Sequence, residues 1–86
     1  MPKVIDVCRI YIGKPLKFLR IRMNGDVIKI KEIYDHEYNK INALLIGNGY
    51  SPKLTTIQGL PSLCLTYHDV NDEIIEKILE YGEDVD

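Results

Sequence analysis

Lys17-Phe-Leu-Arg-Ile-Arg-Met-Asn-Gly-Asp-Val-Ile-Lys-Ile-Lys-Glu-Ile33 decides the fold, because two alternating runs flank Asn24-Gly25, the pair that favours a two-residue type I′ hairpin turn. With that pair at the turn, Met23 is expected opposite Asp26, Arg22 opposite Val27, and Ile21 opposite Ile28. Arg20 then meets Lys29, Leu19 meets Ile30 and Phe18 meets Lys31. One face becomes Leu19, Ile21, Ile28 and Ile30, an apolar patch that needs cover. The other carries Phe18, Arg20, Arg22, Lys29 and Lys31. A slip of one residue would turn the cations inward.

Upstream, residues 3–12 are rich in β-branched and aromatic side chains and predict a strand, after which Gly13-Lys-Pro-Leu16 turns the chain. A four-residue loop there aligns Tyr11 with Phe18, Ile10 with Leu19, Arg9 with Arg20 and Cys8 with Ile21. The expected meander presents rows Ile10-Leu19-Ile30 and Cys8-Ile21-Ile28 inward. It presents Tyr11-Phe18-Lys31, Arg9-Arg20-Lys29 and Val7-Arg22-Val27 outward.

Downstream, Asp35 is positioned to cap a helix over roughly 36–47, with Tyr38, Ile41, Leu44 and Leu45 at three-and-four spacing and Gly47-Asn-Gly49 as its stop. Residues 54–58 and 63–68, divided by Gly59-Leu-Pro-Ser62, predict a second hairpin. Leu63, Leu65 and Tyr67 share one of its faces; Cys64, Thr66 and His68 share the other. Asp69 or Asn71 then caps a closing helix that buries Ile74, Ile75, Ile78, Leu79 and Tyr81 and ends at Gly82, and residues 83–86 are expected to fray.

The order βββαββα, with no repeat or linker, predicts one α+β domain over residues 1–86. It is expected to be a two-layer sandwich: a mainly antiparallel sheet of about five strands with two helices on one face. The core is drawn from Cys8, Ile10, Leu19, Ile21, Ile28, Ile30, Ile41, Leu45, Leu65, Ile75 and Ile78.

At 45% hydrophobic and 28% charged, the 86 residues have the balance of a folding chain. No apolar run reaches the roughly 20 residues that span a bilayer, and the first residues lack a signal-peptide core, so a cytoplasmic protein without membrane contact is expected. Cys8 and Cys64 are far apart without metal-type spacing and read as reduced packing residues. The charge is uneven. Residues 1–31 hold eight cations and two acids, a net of +6, whereas residues 32–86 hold three cations and eleven acids, a net of −8.

No phosphate-cradling loop, nucleophile elbow or zinc-binding His-Glu-x-x-His segment occurs, so no cofactor, metal or catalytic residue is assigned. The seven outward residues Arg9, Tyr11, Phe18, Arg20, Arg22, Lys29 and Lys31 form the candidate binding surface. Mixed with Ile5, Val7, Val27 and Ile33, they resemble the apolar, arginine- and aromatic-bearing surfaces that contact proteins. The expected function is therefore a non-enzymatic binding or regulatory module that holds a protein partner. A second copy is a natural candidate, because the acidic closing helix complements the basic row. Nucleic acid or a nucleotide phosphate on the same face is the alternative, set against a sequence pI near 5.6. A small hydrolase using His36 and His68 with their acidic neighbours is the remaining one.

Overall fold

The computed structural model describes residues 2–84, whose order is β1 (Lys3–Ile10), β2 (Leu16–Met23), β3 (Asp26–Ile33), α1 (Asp35–Gly47), β4 (Lys53–Thr55), β5 (Ser62–Val70), α2 (Asp72–Ile78) and β6 (Glu83–Asp84). The fold is α+β, with a six-stranded sheet in the order β4-β5-β1-β2-β3-β6 whose strands pair antiparallel. The sixth strand was not expected. Glu83 and Asp84 do not fray but pair with Glu32 and Lys31, while positions 85 and 86 lie outside the described residues.

The turn forms as its chemistry requires: Asn24 and Gly25 both take positive φ, 55° and 84°, and Met23–Asp26 and Arg22–Val27 pair as expected. A bulge then intervenes. Beyond it Ile21 faces Lys29, Arg20 faces Ile30 and Leu19 faces Lys31, one residue out of the expected register. Because side chains alternate with a period of two, that single extra residue moves Ile28 and Ile30 off the core face and brings Lys29 and Lys31 onto it. Ile28 and Ile30 are 46% and 39% exposed, so their assignment to the core is corrected.

The β1–β2 connection differs too, since Ile10 pairs with Leu16 and the loop is the five residues 11–15. Arg9 therefore faces Lys17, Cys8 faces Phe18, Val7 faces Leu19 and Ile5 faces Ile21. This shift of three is odd, so it exchanges the faces of β1 relative to β2. Both faces of β1 carry apolar residues, Ile5 and Val7 on one and Cys8 and Ile10 on the other, and each also carries a charge. Periodicity within β1 could not choose between them.

The main core lies between the sheet and both helices: Ile5, Val7, Leu19, Ile21, Ile33, Tyr67 and Val70 against Ile41, Leu45, Ile74, Ile75 and Ile78. Tyr67 is fully buried and donates to Asn42 Oδ1 at 2.6 Å, while Asn42 Nδ2 donates to the Tyr38 carbonyl. Burial, with a smaller electrostatic contribution from Tyr38, pushes the Tyr67 hydroxyl up to about 12.

Helix α1 is capped differently from expectation. Tyr34 is the N-cap, Asp35 is the first helical residue, and Glu37 Oε1 accepts the Tyr34 N–H at 2.9 Å. Glu37 Oε2 also accepts the Gly82 N–H at 2.8 Å, which ties the start of α1 to the segment after α2. Burial acts to raise the Glu37 carboxyl, but the two backbone donors outweigh it and hold it below the usual range. Gly82 has φ +74°, and a Cβ there would lie 2.7 Å from the Glu32 carbonyl oxygen, so only glycine lets β6 approach β3 this closely. Asn71, one of the two expected caps, accepts from Glu73 N at 2.7 Å and starts α2.

Candidate binding face

The sheet side away from the helices begins with a covalent link. β1 and β5 pair so that Cys8 and Cys64 stand directly opposite, Cα atoms 4.1 Å apart, and they form a disulfide. The reduced state expected for both is corrected: partners 56 residues apart become neighbours only through a pairing that cysteine spacing does not encode. Phe18 packs on the bridge with Ile10 and Ile57, the last reaching over from the β4–β5 connection. These make a second, smaller apolar cluster.

Beside it lies Asp6, fully buried and charged. Arg22 grips it with two hydrogen bonds, Nε to Oδ2 at 2.7 Å and Nη2 to Oδ1 at 2.9 Å, and Arg20 Nε donates to Oδ2 at 2.9 Å. Thr66 Oγ1 donates to Oδ1 at 2.7 Å and is itself 2.7 Å from Thr55 Oγ1. Burial alone would raise the Asp6 carboxyl. The hydrogen bonds from Arg22, Thr66 and Arg20 overcome it and hold the carboxyl below the usual range. Asp6 is a site residue that the sequence pattern does not single out. The signal available there was a single acid inside an apolar strand, flanked across the sheet by arginines, and an incorrect register concealed it.

The seven expected site residues consequently divide. Phe18, Arg20 and Arg22 stay together on the helix-free face. Arg9, Lys29 and Lys31 fall on the helix-bearing face, as the registers of β1 and β3 dictate, and Tyr11 lies in the β1–β2 loop, half exposed. The row Arg9-Arg20-Lys29 does not exist. Lys29 Nζ meets Asp84 at 2.7 Å, and the largely buried Lys31 donates to the Leu79 carbonyl. Lys3 pairs with Asp72, and Lys17 with Asp35 at 2.5 Å. The acidic half of the chain thus neutralises part of the basic half within one fold.

What the helix-free face offers at its β3 end is apolar. The bulge leaves Val27, Ile28 and Ile30 exposed at 47%, 46% and 39%, and Leu16 adds a further exposed side chain. Among the described residues the outer edge of β3 is paired only at Lys31 and Glu32. Edge strands of this kind are templates for another chain.

The histidines do not converge. His36 follows β3 at the end of the sheet where Lys17 meets Ile33, stacked on Tyr34 with ring centroids 5.9 Å apart. His68 lies towards the opposite end, where β5 runs on to pair Val70 with Lys3. Among the described residues no group of three His, Cys, Asp or Glu side chains could hold a metal ion, and no helix is long and apolar enough to cross a membrane. Comparison with protein families, curated proteins and solved structures finds no match for this chain.

Proposed function

We propose that the protein is a non-enzymatic binding module that works by protein contact through the helix-free face of its sheet, with a second copy as the partner. The observation that carries this reading is the group Val27, Ile28 and Ile30, large apolar side chains exposed side by side on a strand whose outer edge is paired, among the described residues, at Lys31 and Glu32 alone. Arg20 and Arg22 adjoin them, held in place by Asp6, so less side-chain entropy remains to be lost when they are covered. Arginine and aliphatic groups mixed in this way suit the centre of a protein interface.

The nucleic-acid alternative gains less support. The face retains two arginines, both engaged by one carboxylate, and the other cations of the expected row are elsewhere. The hydrolase alternative has its two histidines towards opposite ends of the sheet.

Light scattering over a concentration series tests the reading. The wild type should rise towards twice the monomer mass, and Ile30→Glu should remain monomeric at every concentration. A wild type that stays at the monomer mass throughout would overturn it.

A further inference from the structure

At the end of the sheet where β1 passes into β2, a cleft is lined by Arg9, Tyr11, Lys14, Pro15, Lys17 and Asp35. It lies beside the helix-bearing side, away from the helix-free face. Three cations and one acid share it, so their charges leave a net of two positive. The acid is already committed, because Asp35 takes Lys17 at 2.5 Å, and that bond, with a smaller pull from Arg9, holds its carboxyl below the usual range. Among the described residues neither Arg9 nor Lys14 pairs with a carboxylate. Among the described residues the ion pairs engage Lys3, Lys17, Arg20, Arg22 and Lys29, and the buried Nε of Arg9 meets no acceptor at all.

Both strand-borne cations are held in place from the helix side. The Arg9 guanidinium lies 5.2 Å and the Lys17 ammonium 5.4 Å from the centroid of the Tyr38 ring, so one aromatic ring keeps the two charges adjacent. Of these two, Lys17 has its counter-ion in Asp35, whereas Arg9 meets no carboxylate among the described residues, so Arg9 and the loop-borne Lys14 are the cations of the cleft that attract an anion. The organic side of the cleft is supplied by Tyr11 and Pro15.

We propose that this cleft binds a small phosphate monoester, its dianionic phosphate bridging Arg9 and Lys14 and its organic part lying on Tyr11 and Pro15. The guanidinium offers planar donors matched to phosphate oxygens, and Lys14, in the loop, can close on the free side. The charge of the ligand equals the charge left uncompensated.

Titration of the whole protein with phenyl phosphate, inorganic phosphate and phenol, followed by amide shifts in two-dimensional NMR, tests this. Phenyl phosphate should move the amides of residues 9–17 and 35, bind more tightly than inorganic phosphate, and weaken as salt is added; phenol should not bind. Lys14→Met, in an exposed loop, should fold normally and bind phenyl phosphate about tenfold more weakly, as expected for one lost charge-assisted hydrogen bond. Arg9→Met should lose more. Unchanged affinity in Lys14→Met, or shifts scattered over the protein's other lysines, would overturn the site. Inorganic phosphate binding as well as phenyl phosphate would overturn the role of Tyr11 and Pro15. A single-stranded oligonucleotide binding far more tightly at the same residues would replace the small ligand with a polyanion.

Discussion

The two faces of the sheet solve the same problem by different chemistry. On one, two helices close over Ile5, Val7, Leu19, Ile21 and Tyr67, and apolar area removed from water supplies the stability. On the other no helix arrives, and the sheet is held by the Cys8–Cys64 bridge with Phe18 and by the Asp6-Arg20-Arg22-Thr66 cluster. The lesson is that a sheet covered on one side can keep its other side available when covalent and ionic links replace the missing layer. At its β3 end even those links cease, and the apolar side chains are exposed.

The covered face is the more sensitive of the two to substitution. Ile21→Asp places a carboxylate among hydrocarbon at a site 1% exposed and should cost more than about 4 kcal/mol, abolishing the folded circular-dichroism spectrum. Retention of the parent's thermal midpoint would show that this face is not the core.

Next comes the covalent link. Its cysteines are 56 residues apart, so opening it frees a long loop in the unfolded chain and should cost about 4 kcal/mol by the loop-entropy relation. Chemical denaturation with and without reductant measures this. Equal midpoints would show that the bridge does not stabilise the helix-free face.

Asp6 follows. Asp6→Ala leaves two part-buried arginines facing an emptied site and should cost about 3 kcal/mol. The carboxyl is depressed in the folded state, so its contribution is complete above the unfolded carboxylate value of about 3.9 and is lost as pH falls through the lower folded value. The parent should therefore lose stability on acidification below about pH 4, and Asp6→Asn should show a shallower loss over the same window. Parallel acid profiles would mean that the arginines do not stabilise the charge.

The smallest effect sharpens the contrast. Ile30→Glu, 39% exposed and beyond both clusters, should change monomer stability by no more than about 0.5 kcal/mol, while abolishing the proposed self-association. A large loss of stability would place Ile30 in the core and not on the exposed face.

Much was readable from the chain because its signals were local. Asn24-Gly25 set a type I′ turn, Gly47-Asn-Gly49 stopped α1, Asn71 started α2, and the three-and-four spacing of Ile41, Leu45, Ile74, Ile75 and Ile78 named the helical half of the core. Each depends on residues a few positions apart, and the order βββαββα follows from them. Of the site, the sequence marked Phe18, Arg20 and Arg22 as neighbours, since they alternate on one strand. It did not find Asp6, their partner.

Tertiary structure decided the rest, and the reason is the two-residue period of a strand. One extra residue in β3 and one in the β1–β2 loop each reverse a strand's faces, at little cost to local propensity, when both faces hold apolar groups. The choice is made by which arrangement packs against α1 and α2, buries Asp6 among its donors, joins Cys8 to Cys64 and lets the acidic segment after α2 reach Lys29. The ionic, hydrogen-bonded and covalent ones among them link residues between 14 and 60 positions apart, and no periodicity within a single strand records them.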